Sequence, residues 1–309
     1  MKKILFLNLL CFFTLYDICI SAVHTGADFL KLGGGARIIA LADTSAATDL
    51  DGSSFFHNPA GFTKTDNEIT FVHAPSPFGD AYFQYLGGIY SIPGLASLAA
   101  GIFSYRIEPI TVTDETNNEF DEKLIWNDWA FAFAAARDIN RRISLGVCGK
   151  YIYRYERNPI FGKTVGTAFS FDLGIKYRVV EVEGLALGIS LENYGTDVKY
   201  SNDPKIDVLP ASIRLGAVYR VFETKENRFD VACDFFKETE DKFRPRISGE
   251  YTYLDWLSLR GGFLNKAGNI SGVNFGFGIE WRGYCFDFAS AVSSVFDRTA
   301  YMTVSKKFY

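Results

Sequence analysis

The chain is short of the side chains on which most chemistry depends. Among 309 residues there are 3 His, 5 Cys and 2 Met, one of them the initiator. His24, His57 and His73 are scattered, and no serine elbow, paired metal ligands or carboxylate dyad accompanies them. His57 and His73 read as polar interface residues rather than bases. The run Gly33–Gly35 lacks the strand-turn-helix setting of a phosphate loop. No catalytic, metal-binding or cofactor-binding residue is therefore assigned, no cofactor is expected, and the chain is not read as an enzyme. Cys11, Cys19, Cys148, Cys233 and Cys285 form neither a disulfide framework nor a metal pattern. The formal charge of −4 is spread through the chain without a basic stripe, which argues against a nucleic-acid partner. After the N-terminus no segment approaches the ~20 apolar residues of a spanning helix, so any membrane crossing must be made by strands.

Lys2 and Lys3 precede an apolar run from Ile4 to Leu15, with small residues Ser21 and Ala22 behind it. That is the pattern of an export signal, residues 1–22, and the run is too short for a first transmembrane helix. Tyr16-Asp17-Ile18 lacks the small residues that precede a lipidated cysteine at Cys19. Loss of Lys2, Lys3 and Asp17 with the signal moves the charge from −4 to −5.

Aromatic residues, by contrast, are abundant. They make up 16% of the chain, with 29 Phe and 17 Tyr, as aromatic girdles at a membrane interface require. The 28 Gly fall largely inside strand-like stretches, where barrels need tight bends. From residue 67 onward, short stretches alternate apolar and polar residues. Thr167, Phe169, Phe171, Leu173, Ile175 and Tyr177 interleave with Gly166, Ala168, Ser170, Asp172, Gly174 and Lys176. About fourteen such stretches follow one another: Glu68–His73, Ala81–Tyr90, Leu95–Ile107, Asn127–Arg137, Arg142–Tyr155, Gly166–Arg178, Leu185–Glu192, Ala211–Val221, Arg228–Phe236, Arg244–Tyr253, Leu257–Leu264, Gly272–Trp281, Tyr284–Val292 and Thr299–Phe308. Most are close to the ~9–11 residues that a tilted spanning strand requires.

The connections alternate between longer polar loops, such as Glu108–Trp126, Glu156–Val165 and Asn193–Pro210, and tight turns, such as Ile92–Gly94 and Arg282–Gly283. Outer-membrane barrels have this asymmetry, with long loops outside and short periplasmic turns. The fold expected is all-β, a transmembrane antiparallel barrel of about 14 strands over residues 67–309, in preference to a soluble all-β domain. Parity then assigns faces. Ile213, Leu215, Tyr219, Val273, Phe275, Trp281, Leu145 and Tyr151 face lipid. Lys150, Arg154, Asp172, Lys176, Arg214, Arg220 and Glu280 are the candidate lumen-lining residues, with Asn274 and Arg282 on the same face. A charge on the lipid face at mid-depth costs roughly 2–4 kcal/mol, so their inward placement has a physical cause. The last strand carries Ala300, Met302, Val304 and Phe308 on one face, broken by Lys306 and followed by Tyr309. This is the terminal aromatic signature read by the barrel-assembly machinery, which with outer-membrane lipid is an expected partner.

Residues 23–66 cannot form a spanning strand. They are rich in Ala, Gly and Ser, and a segment of that size before a barrel reads as a hatch in the lumen; the alternative is a periplasmic arm. Here the chain resembles the PorV/PorQ family, within the wider FadL-like outer-membrane barrels. The resemblance rests on Gly35-Ala36-Arg37, on Ala42-Asp43, on Asn58-Pro59-Ala60, on Gly188–Gly195, and on Leu209-Pro210 leading into Arg214-Leu215-Gly216. The chain departs at Ala40-Leu41-Ala42, where relatives commonly carry glycines. The resemblance implies a fourteen-stranded barrel with an N-terminal plug whose motif residues are Gly35, Ala36, Arg37, Asn58, Pro59 and Ala60. It implies passive uptake of hydrophobic compounds of the long-chain fatty acid type. The alternative it carries is a PorV/PorQ-like component of type IX secretion, or a scaffold binding exported proteins without a solute path. A general porin fits less well, given the leading segment. The acidic stretch Asp114–Lys123 does not match a calcium loop and reads as a solvated surface loop. Phe78, Trp126, Phe161 and Tyr194 read as interfacial belt residues, the alternative being a hydrophobic landing site such as a FadL-like route needs.

Overall fold

Alternating side chains make each strand two-faced, and only a closed sheet can hide all its edges in lipid. In the computed structural model that closure is complete. Residues 25–308 are described, apart from 33, 76–79, 202–203, 205, 240, 266–270 and 294–297. Residues 1–22, read as an export signal with Cys11 and Cys19 in it, and His24, Gly33, Phe78 and Tyr309 lie outside the described residues. The strands are β1 Asn67–Pro75, β2 Ala81–Ile92, β3 Ala96–Ile110, β4 Leu124–Asp138, β5 Ile143–Asn158, β6 Gly162–Arg178, β7 Leu185–Gly195, β8 Val198–Tyr200, β9 Ile206–Asp207, β10 Ser212–Glu223, β11 Asn227–Glu238, β12 Arg244–Tyr253, β13 Leu257–Asn265, β14 Ser271–Trp281, β15 Tyr284–Ser293 and β16 Thr299–Phe308. Fourteen of them pair antiparallel with their neighbours around a ring, and β1 closes it against β16, from Asn67↔Phe308 to His73↔Met302. Strands β8 and β9 are short additions in the β7–β10 connection, β8 pairing with β6 and β9 with β8. No helix among the described residues is long and apolar enough to cross a membrane.

The exterior is apolar. Phe133, Phe169 and Trp281 are 70%, 62% and 65% exposed, a liability in water but the preferred state against acyl chains. Lys306, the charge on the outer face of the last strand, donates to the Arg282 carbonyl at 2.9 Å and lies 4.0 Å over the Tyr284 ring. It thus reaches out of the apolar band to the turn, as a long cationic side chain near an interface does. Two expectations are corrected. Residues 156–165 are not a loop: β5 and β6 stay paired up to Asn158↔Gly162, leaving a tight tip. Above the bilayer both faces of a hairpin meet water, so the alternation that marks a strand disappears there. Arg282 is not luminal; it sits in the β14–β15 turn at φ 51°, exposed beside the Trp281 ring.

The core of the molecule is the lumen. Residues 25–66 run through it and bury most of their side chains there. At the long-loop end Gly26 donates its amide to Val208 O at 2.8 Å, and Lys31 pairs with Glu238 at 3.0 Å. A short helix α1, Ala36–Ala40, then packs against β13–β16. A 3-10 turn, Pro59–Phe62, packs against β4–β6. At the short-turn end the Thr65 carbonyl accepts from Ser91. The wall makes room for this segment by omitting side chains. A Cβ on Gly146 would strike Pro59, one on Gly174 Asn58, one on Gly188 the Ala46 carbonyl, one on Gly262 the Cβ of Ala42, and one on Gly276 the Cβ of Ala40. None of these five has the positive φ of a turn glycine. They are docking notches, not the tight bends that the composition implied.

Candidate functional site

Where the segment meets the wall, the residues divide into an apolar and an ionic contact. On the apolar side, Phe55, Phe56 and Phe62 are 5% exposed or less and form an edge-packed cluster. Phe56 packs edge-on to Phe103 at 4.5 Å between centroids, and Phe103 lies 5.0 Å from Tyr85. Tyr85 donates its hydroxyl to the Gly52 carbonyl. Strand β4 contributes Ala130, Ala132, Ala134 and Ala136, small residues that let the Pro59–Phe62 turn approach the backbone.

Asn58-Pro59-Ala60 is built as a cap. The Asn58 side chain accepts from Ala60 N at 3.0 Å and donates to Ala46 O at 2.5 Å, while Pro59 occupies the first position of the turn, where no amide hydrogen is needed. The same amide lies 3.4 and 3.5 Å from the carbonyls of Ile175 and Ile189, a directly opposed pair across β6 and β7. Asn58 is fully buried. Gly35 abuts Ser53 and Thr303, and Ala36 donates its amide to Thr303 Oγ1 at 2.8 Å. Arg37 makes a two-pronged contact to Glu250 at 2.9 and 3.1 Å and also donates to Asp49 O at 2.7 Å. All six motif residues thus lie on the luminal segment where it touches the wall or itself.

The ionic side centres on Asp43. After α1 the chain turns through Ala42 at φ 51° and Asp43 at φ 60°, the left-handed region that favours glycine. Each costs about 1–3 kcal/mol in a residue with a side chain. The turn aims the Asp43 carboxylate at Arg214, 3.4 Å away, and at Arg246, with which it is hydrogen-bonded. Burial works against ionisation of Asp43, but Arg214, Arg246 and His57 outweigh it and hold its carboxyl well below the ordinary range. Arg214 is 1% exposed and also pairs with Glu192 at 2.9 Å and Asp234 at 3.6 Å. Asp234 accepts the amides of Ser45 and Ala46 at 2.7 and 3.0 Å. The guanidinium carbons of Arg246 and Arg214 stand 3.9 and 4.7 Å from the centre of the Phe236 ring, which screens them from water. A second ladder links Arg37, Glu250, Arg260 and Asp287.

The other expected luminal residues also sit on the inner face, each with a partner. Lys150 pairs with Asp172 at 2.8 Å and donates to Asn193 at 2.7 Å; Asp172 fills a bulge in the β6–β7 ladder by accepting the Asn193 amide. Arg154 pairs with Asp128 at 3.1 Å, and Lys176 with Asp49 at 2.5 Å. Arg220 pairs with Asp230 at 2.8 Å and Glu280 with Lys307 at 2.7 Å, both near the short-turn end. Two cavities open at that end. One of about 340 Å³ sets Leu41 and Val218 beside Asp49, Lys176 and Arg220. The other, of about 450 Å³, is lined by Glu68, Glu280, Asp287, Arg260 and Lys307 among others.

Several residues of this contact escape sequence reasoning. Glu192, Asp234, Arg246, Glu250 and Asp287 all have inward parity, a signal as good as that of Arg214. His57 is buried where the segment meets the wall, between Asp43 and Glu192. His73 stands on the outer wall beside Tyr82 and Gln84. Asp114 folds its loop by accepting from Thr116 and Asn118, fully exposed; no group that could hold a metal occurs among the described residues. Phe161, 80% exposed, caps the β5–β6 hairpin, and Trp126 donates to Asp128 at 3.1 Å.

No protein-family model matches the chain, and no curated protein matches it. Solved structures do. The toluene transporter TbuX of Ralstonia pickettii superposes with a TM-score of 0.60 at 13% identity, over 90% of this chain and 99% of its own. The monoaromatic hydrocarbon channel CymD gives 0.64 at 12%, over 90% and 98%. A Pseudomonas aeruginosa FadL homologue gives 0.59 at 10%, over 90% and 99%. The chain shares its fold with these channels. At such identities the likeness extends to the FadL-like barrel as architecture; the narrower PorV/PorQ resemblance gains nothing from it.

Proposed function

We propose that the protein is an outer-membrane barrel for passive passage of hydrophobic compounds, of the long-chain fatty acid or small aromatic type. In this reading the luminal segment is the plug that must yield. The observation that carries it is the buried segment itself: a chain that fills the lumen and meets the wall through a notched, partly ionic contact, inside a fold shared with hydrocarbon channels. Outer-membrane lipid covers the exposed Phe and Leu band, and Met302, Val304 and Phe308 of β16 present the assembly signature.

The test is uptake in cells that lack their own hydrophobic-compound channel. Expression should restore uptake of toluene or a long-chain fatty acid, and deletion of residues 26–62 should change its rate while the barrel still assembles. Unchanged uptake in the deletion would sink the plug's part in transport. A second reading, a PorV/PorQ-like secretion component or cargo scaffold, is favoured by one specific observation. The two cavities described carry charged side chains in their walls, and the apolar side of the lumen is filled by Phe55, Phe56 and Phe62. Absence of uptake together with co-purified exported protein would establish that reading instead.

A further inference from the structure

Among the described luminal groups, His57 faces two carboxylates at ion-pair range without a hydrogen bond to either. His57 is 6% exposed, with Nε2 facing Asp43 Oδ1 at 3.5 Å and Nδ1 facing Glu192 Oε2 at 3.7 Å. Neither ring nitrogen forms a hydrogen bond, and neither does Asp43 Oδ1. The ring lies between two acceptors and against the tilted Phe56 ring, 4.7 Å between centroids.

We propose that His57 is a proton-operated latch, whose imidazolium fastens the luminal segment to β7 and whose neutral form loosens it. A neutral imidazole has one N–H and one lone pair, so between two carboxylates it must aim the lone pair at one of them. The imidazolium donates on both sides and ties Asp43 of the segment to Glu192 of the wall. Charge points the same way. Asp43, Glu192 and Asp234 face Arg214 and Arg246, three anions against two cations, and a protonated His57 balances them. A neutral ring leaves one buried negative charge uncompensated.

The remaining elements around the ring do not take over this role. From β5 and β6, Lys150 and Asp172 are committed to each other, with the ammonium 5.7 Å over the Phe56 ring. From β16, Tyr301 is within electrostatic reach of Asp43 and carries no charge as a phenol. Histidine is the side chain whose ordinary charge change falls between pH 5 and 8.

The inference rests on the segment being the element that yields. Its test reads docking without any solute, so its failure is separable from failure of the transport reading. Amide hydrogen exchange over residues 36–62 is measured on the purified full chain in detergent at pH 5.5 and 8.0, with labelling times matched for intrinsic exchange. Protection should fall about tenfold at pH 8.0, the scale of one charged hydrogen bond. His57→Gln should erase the difference between the two pH values. Equal wild-type protection at both, or an undiminished difference in His57→Gln, overturns the latch. Assembly of the variant is checked by its heat-modifiable gel mobility. If it does not assemble, Glu192→Gln decides: a reduced pH difference supports the latch, and an unchanged one overturns it.

Discussion

Against β2–β5 the luminal segment sets Phe55, Phe56 and Phe62 among Tyr85, Phe103 and the alanines of β4. Against β7 and β10–β15 it sets Arg37, Asp43 and the Ser45 and Ala46 amides among guanidiniums and carboxylates. The first contact is non-directional and scales with buried area. The second is directional: Arg214 reaches Asp43, Glu192 and Asp234 at once, and Asp234 accepts the Ser45 and Ala46 amides. Desolvation offsets much of what such a buried cluster gains, so its contribution is register rather than net adhesion. One side holds the segment in the barrel, and the other decides where in the barrel it sits.

This division can be broken by substitution. Arg214→Ala, which leaves Asp43, Glu192 and Asp234 buried around a single Arg246, should destabilise the barrel by about 3–5 kcal/mol in urea unfolding, with loss of exchange protection at residues 43–47. Gly188→Val should cost about 1–3 kcal/mol and displace Ala46 from the wall, because the notch has no room for a side chain. Cysteine accessibility at position 46 would report that displacement. On the apolar side Phe103→Leu, a swap of one large apolar side chain for another, should cost about 1.5 kcal/mol or less and leave the segment docked. Equal costs for Arg214→Ala and Phe103→Leu would erase the distinction between the two sides.

The smallest effect is expected outside the lumen. Hydrogen bonds from Thr116 and Asn118 hold the Asp114 carboxyl down at about 2. A carboxyl lowered on folding contributes above its ordinary value of 3.8 and loses that contribution as pH falls through about 2. Acid titration followed by NMR should therefore melt the Asp114–Asn118 turn only near pH 2, and Asp114→Asn should remove the transition without affecting the barrel.

The wall was legible in the chain because lipid outside and side chains inside impose a period of two. Each of the fourteen expected strands overlaps an observed one, usually to within a few residues. Parity likewise put Lys150, Asp172 and Arg214 on the inner face. It could not say what they meet, since Asp43 and Arg214 are 171 residues apart in the chain and no local pattern encodes a contact across a lumen. The notch glycines were misread for the same reason: a missing side chain is visible in sequence, but the neighbour that requires its absence is not. The Asn158–Gly162 hairpin was lost where solvent on both faces removes the alternation. His57 read as a polar interface residue, but its carboxylate partner on the wall, Glu192, lies 135 residues downstream and leaves no local trace.

Gly26 lies with Val208 at the long-loop mouth, while Thr65 lies with Ser91 at the opposite one, immediately before β1 begins. The contact at the first mouth is a hydrogen bond, whereas at the second the backbone runs on into the wall itself. The luminal segment is therefore tethered covalently at one mouth only, so its long-loop end can let go and swing free without opening the β1–β16 seam.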